Sequence, residues 1–117
     1  MVICKNINGV LHAEILCNRI TDMSTVDLIY NELNEALDDR IGVKLILDFK
    51  HVDYLTSSFL GSLVNFQNEL KSLGGQMVLT NLKSNLHEIF VITRLHTVVK
   101  ISNSVFTAMQ ELKGVEV

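Results

Sequence analysis

Lys44-Leu-Ile-Leu-Asp-Phe49, followed by His51-Val-Asp-Tyr-Leu-Thr-Ser-Ser-Phe-Leu-Gly61 and a helical pattern running to Gly74-Gly75, decides how this chain folds. The first segment is a short, nearly unbroken apolar run, which suits a central strand covered on both faces better than an edge strand with one wet side. Behind it, Thr56, Ser57 and Ser58 stand where apolar residues begin to recur at helical spacing, so these hydroxyls fall at a helix N-terminus. There the unpaired backbone N–H groups and the positive end of the macrodipole favour a side-chain oxygen, or a phosphate carried on one.

Outward from this stretch, the helix predicted from Ser58 to Leu73 turns Leu60, Leu63, Val64, Phe66, Leu70 and Leu73 toward a core, and Gly74 suits a left-handed cap. Gln76 to Asn81 reads as a second buried strand. A helix joining neighbouring strands makes a βαβ unit whose crossover is nearly always right-handed, so the two strands are parallel. Ser84 starts a further helix through Leu86, Ile89, Phe90 and Thr93, ending near Arg94-Leu95. Val98 to Ile101 is a short β-branched strand, and Ser102 or Ser104 opens a last helix with Val105, Ala108, Met109 and Leu112 in a stripe before Gly114.

Toward the N-terminus, Asn8-Gly9 between two strand-like runs predicts a two-residue hairpin joining Val2–Ile7 to Val10–Asn18. Its register sets Cys4 against Ala13 and Lys5 against His12. Cys17 then lies roughly 13 Å from Cys4, too far for a disulfide; both cysteines read as small buried thiols. Thr21 to Asp39 carries Val26, Ile29, Tyr30, Leu33 and Leu37 at helical intervals, with Ser24 and Asp27 spaced as a capping box. The polar side of that helix reads as a solvated face. The expected fold is α/β: a mixed sheet of about five strands, an N-terminal hairpin plus parallel βαβ units, with about four helices, forming one domain over residues 1–117.

The strand ending at Leu47-Asp48, the short link around Val52, the hydroxyls Ser57 and Ser58, Leu60-Gly61, the helix closing at Gly74-Gly75 and the strand Met77-Val-Leu-Thr80 together resemble the STAS domain of anti-sigma factor antagonists. The similarity spans nearly the whole chain and is most specific from Leu47 to Leu82. What it implies is a STAS-like α/β fold in which the serine aligned with Ser57 is phosphorylated, with Ser58 the second choice. It further implies a partner, an anti-sigma factor with serine kinase activity. The unmodified antagonist sequesters that partner and frees the sigma factor, and a serine phosphatase resets the system. The docking surface implied comprises Thr21, Asp22, Thr56, Ser57, Ser58 and Phe59. Three positions depart from the family's Asp-Ser-Ser/Thr-Gly-Leu-Gly pattern and its companion loop: Thr56 replaces the Asp, Phe59 replaces the first Gly, and Thr21 stands where an early Asp is expected. Phe59 has two readings: it extends the Leu63, Phe66 and Leu70 stripe into the core, or it is an exposed aromatic anchor beside Ser57.

Composition bounds the alternatives. With 48% hydrophobic and 20% charged residues in 117, the chain is that of a compact globule, long enough to bury roughly two thirds of its unfolded surface. Ten basic and thirteen acidic side chains give a formal charge of −3 with Lys and Arg dispersed, which offers no field for nucleic acid. No apolar run approaches the ~18 residues of a membrane span, and no secretory leader opens the chain, so a cytoplasmic location is expected.

The search for chemistry is mostly negative. His12, His51, His87 and His96 are scattered, with no metal-ligand spacing, and phosphate-loop, GxGxxG and nucleophile-elbow motifs are absent. Neither an enzyme nor a resident metal or cofactor is expected. Asp48 and Asp53 read as carboxylates accepting hydrogen bonds from the loop after a central strand, with ligand binding at the strand's carboxyl end as the alternative. Ser57 needs no catalytic power to act as a switch: phosphorylation adds roughly −1.5 to −2 charges, which backbone amides tolerate but a partner packed over a neutral hydroxyl does not. Two other functions remain open, a non-phosphorylated scaffold in a larger regulatory complex and a small-molecule or nucleotide sensor using a pocket above Asp48.

Overall fold

The structure, a computed structural model, describes residues 1–38 and 40–113. Strands β1 (Val2–Ile7) and β2 (Val10–Ile15) form the hairpin, with Asn8 and Gly9 both at positive φ as its two-residue turn requires. The register is the one read from the sequence: Cys4 faces Ala13 and Lys5 faces His12. Cys4 and Cys17 are both free and half-buried rather than fully enclosed. A short strand β3 (Arg19–Ile20) leads into helix α1 (Met23–Leu37), which buries Val26, Ile29, Leu33 and Leu37. The central strand β4 (Lys44–Asp48) follows, then the two-residue β5 (Tyr54–Leu55) and helix α2 (Ser57–Ser72). Strand β6 (Gln76–Thr80), helix α3 (Ser84–Ile92), a 3-10 turn (Leu95–Thr97), strand β7 (Lys100–Ser102) and helix α4 (Val105–Lys113) complete the order.

The main sheet runs β1-β2-β4-β6-β7, antiparallel in the hairpin and parallel thereafter. Because side chains alternate along each strand, β4 feeds two cores. Leu45 and Leu47 join Ile29, Leu33, Leu63, Phe66 and Leu79 under α1 and α2, while Ile46 joins Val10, Val78, Ala108 and Leu112 under α4. That double coverage is why Lys44–Asp48 reads as a run and not as an alternation.

Two expectations shift in detail, one alternative is decided and one pairing is new. The Ser24 and Asp27 capping box does not form: α1 starts two residues earlier, with extended Asp22 as N-cap, Val26 N–H donating to the Asp22 carbonyl and the Thr25 hydroxyl to the Asp22 carboxylate at 2.6 Å. The last strand begins two residues late, because Arg94, at positive φ, opens the 3-10 turn that uses up Val98. Of the two serines proposed to open α4, Ser104 does so, its hydroxyl accepting from Thr107 N–H. The small second sheet, β3 paired in parallel with β5, was invisible in sequence, since two residues carry no periodicity. The expected helix end at Asp39, and Gly114, lie outside the described residues.

The α2–β6 corner is sterically exacting. Gly74 takes φ +76°, and a Cβ on Gly75 would sit 2.7 Å from the Val43 carbonyl oxygen and 2.8 Å from Leu70. Gly75→Ala is expected to lower unfolding free energy by about 1–3 kcal/mol, whereas Gly61→Ala, in the exposed middle of α2 with open space around it, should raise it by about 0.5–1 kcal/mol. Urea midpoints of the two variants check the pair: a neutral Gly75→Ala would contradict the packing described.

Candidate switch surface at two helix N-termini

The loop between β4 and β5 carries the chain to Ser57, and it is tied down at both ends. At its start Asp48, 1% exposed, accepts from Lys50 N–H at 3.0 Å and from the Asn81 amide at 3.1 Å through one oxygen, and pairs with His12 Nε2 at 2.9 Å through the other. This bears out the reading of Asp48 as an acceptor for the following loop. Farther on, Asp53 N–H and Tyr54 N–H both donate to the Asn18 carbonyl, Lys83 pairs with the Asp53 carboxylate, and the Asn85 amide donates to the Asp53 carbonyl. Arg19 lies 4.8 Å over the Tyr54 ring.

The β3–β5 pairing brings the two parts of the expected surface together. Ile20 lies beside Leu55 in parallel register and Thr56 N–H donates to the Ile20 carbonyl, so Thr21 and Asp22, entering α1, run alongside Thr56 and Ser57, entering α2. Thr21, Asp22, Ser57 and Ser58 are exposed and Thr56 is half-buried. Thr56 occupies the N-cap of α2 in extended conformation, yet no side chain caps the helix and its first turn holds no acidic residue. The α2 entrance therefore presents backbone N–H groups and two exposed hydroxyls with nothing anionic of its own.

Phe59 must be taken off that surface. It is 0% exposed, stacked on Tyr30 at 5.3 Å and edge-on to Phe49 at 6.1 Å, while the Tyr30 hydroxyl donates to the Phe59 carbonyl at 3.1 Å. Burial pushes the Tyr30 hydroxyl far above its ordinary pKa, so it stays a donor throughout the physiological range. The reason is helical geometry: at about 100° per residue, Ser57 and Ser58 point outward and Phe59 and Leu60 point in. The core reading of Phe59 holds and the exposed-anchor reading fails.

At Asp48 the sensor reading meets a carboxylate whose two oxygens are both engaged within the protein. A concavity of about 200 Å³ lies elsewhere, between α2, β6 and α4, lined by Gln67, Lys71, Met77, Lys100 and Glu111. Sequence spacing also missed a convergence: His12, Glu14 and Asp48 meet at the carboxyl end of β2 and β4, and His51 joins them through Glu14. Alternation already placed His12 and Glu14 on one face; the β2–β4 register that adds Asp48 is non-local and carries no local signal. Among the described residues no helix is long and apolar enough to cross a membrane.

Comparison with known proteins agrees with this architecture. The STAS domain family model matches residues 17–108, and the chain belongs to that family. It is 23% identical over 107 residues to the anti-sigma F factor antagonist of Paenibacillus polymyxa, with 89% of this chain and 92% of the relative covered. A STAS-domain anti-sigma factor antagonist from Planctomyces limnophilus superposes with a TM-score of 0.84 at 18% identity, covering 95% and 97% of the two chains. The Bacillus cell fate determinant SpoIIAA in its phosphorylated form gives 0.68 at 14% identity, covering 96% and 99%.

Two substitutions separate surface from core. Phe59→Ala is expected to cost about 3–5 kcal/mol of stability, seen as a large drop in urea midpoint. Ser57→Asp should leave the midpoint unchanged or raise stability by about 0.3–1 kcal/mol, since an acidic group at a helix N-terminus complements the dipole. A Ser57→Asp protein as unstable as Phe59→Ala would show that Ser57 is not on a free surface.

Proposed function

We propose that this STAS domain is an anti-sigma factor antagonist that binds its partner through the paired entrances of α1 and α2, with Thr21, Asp22, Thr56, Ser57 and Ser58 as the contact residues. Ser57 is the phosphorylation site and Ser58 the second choice. The observation that carries this reading is the exposed Ser57 at an uncapped helix N-terminus, above a loop fastened on both sides. The name of the Paenibacillus polymyxa relative supports the antagonist role.

In this reading the partner is a cytoplasmic anti-sigma factor with serine kinase activity, and the chain itself catalyses nothing. Unmodified, the hydroxyl-bearing surface packs against the partner. A phosphate on Ser57 is accommodated by the α2 amides, so the fold persists, but the partner would have to bury a dianion with no matching cation. Asp22, already on that surface, adds repulsion rather than relief. A serine phosphatase restores binding. Phe59 acts from behind, holding the first turn of α2 against Tyr30 and Phe49.

A second reading, a non-phosphorylated scaffold, draws on Ile92, 73% exposed on α3, and Phe106, 71% exposed on α4, which offer apolar contact away from Ser57. Thr56 in place of the family's Asp favours it too. Incubation with the anti-sigma factor encoded in the same genome, with ATP, decides between them by intact-mass spectrometry. The switch predicts one added phosphate, absent from Ser57→Ala, and at least a tenfold loss of partner affinity in the phosphorylated form; a partner that binds tightly yet transfers no phosphate to Ser57 or Ser58 would favour the scaffold.

A further inference from the structure

The carboxyl end of the sheet on its α4 side carries a row of polar side chains that the switch does not use. Cross-strand register aligns Glu14 on β2 with Asp48 on β4, Asp48 with Thr80 on β6, and Thr80 with Ser102 on β7. His12 stands one step before Glu14 on the same face, because side chains of a strand alternate. Thr80 and Ser102 are buried, and neither hydroxyl has a hydrogen-bond partner among the described residues. Buried polar groups without partners are uncommon and call for an account.

Within this row the donor atoms of His12, Glu14 and Asp48 all lie within 4.8 Å of one another. His12 Nε2 is 2.9 Å from Asp48 Oδ2, so one imidazole and two carboxylates share one small volume, and a second imidazole, His51, borders it through Glu14, with Nε2 2.5 Å from Glu14 Oε1. The other oxygen of Asp48 is held by Lys50 N–H and the Asn81 amide. Ligating carboxylates have outer hydrogen bonds of this kind, which fix their orientation. The cations nearby are Lys50, whose Nζ is 3.8 Å from Glu14 Oε1, and Lys5, opposite His12 on β1. The Lys50 side chain is half exposed, so its pairing with Glu14 is a weak, solvent-screened one.

We propose that His12, Glu14 and Asp48 form a binding site for a divalent transition-metal ion, zinc being the ion this donor set fits, with His51 orienting the Glu14 carboxylate from outside. One imidazole and two carboxylates, with a fourth position left to water, match zinc, whereas magnesium and calcium are held by oxygen alone. The ion displaces the hydrogen bond between His12 and Asp48, the imidazole proton passing to solvent, and through Glu14 it braces the loop bearing His51 against β2. That loop ends at Thr56, so occupancy stiffens the support beneath Ser57 without touching it.

Zinc chloride titrated calorimetrically into the chelator-stripped full chain tests this. One equivalent is expected to bind with a micromolar or tighter constant, with imidazole NMR shifts at His12 and His51, at least tenfold weakening in Glu14→Gln and His12→Gln, and none in His87→Gln, His96→Gln or Cys17→Ser. Should His12→Gln fail to fold by circular dichroism, His51→Ala, altered at a partly exposed loop position, must still weaken binding. Absence of binding to folded wild type at roughly a hundredfold the micromolar range, indifference to Glu14→Gln and His51→Ala, or dependence on Cys17, His87 or His96 would overturn the proposal.

Discussion

The buried Asp48 carboxylate is the constraint on which the working end of this molecule depends. A carboxylate taken out of water at the end of a central strand is costly unless its lone pairs are met, and here three donors from three parts of the chain meet them. His12 ties it to β2, Asn81 to the segment after β6, and Lys50 N–H to its own loop. One side chain thereby fixes the spacing of neighbouring strands and the direction in which the chain leaves β4. Breaking one partner leaves the others facing an uncompensated polar group, which is why the arrangement holds as a unit.

From that point a short run of contacts positions Ser57. The β3–β5 pairing and the Asn18 carbonyl carry the loop to the start of α2, and Phe59 then drives the first helical turn in against Tyr30 and Phe49. Adjacent residues end in opposite environments, serine in water and phenylalanine in the core, because a helix turns about 100° per residue. Function at such a surface needs a rigid base and an exposed tip, and sequence distance between the two is only two residues.

Much of this was legible in the chain. The central strand announced itself because both its faces are buried, and the hairpin because Asn8-Gly9 is a turn that accepts positive φ twice. The hydroxyls before α2 were legible as a helix entrance, and the family pattern from Leu47 to Leu82 pointed to the STAS fold. The departures have physical causes. Two-residue strands pair through backbone alone, so β3 and β5 leave no trace in side-chain pattern. Asp22 outcompeted Ser24 as N-cap because the β3–β5 pairing ends just before it. The meeting of His12, Glu14, Asp48 and His51 depends on strand register between segments some 36 residues apart, which no local spacing encodes.

Amide hydrogen exchange of the chain, free and bound to an anti-sigma factor from the same genome, tests the central claim most directly, since it locates the partner without altering the protein. The account predicts protection concentrated at residues 21–22 and 53–60, with α3 and α4 unchanged. Protection centred on Ile92 and Phe106, with the entrances of α1 and α2 exchanging as in the free protein, would contradict it.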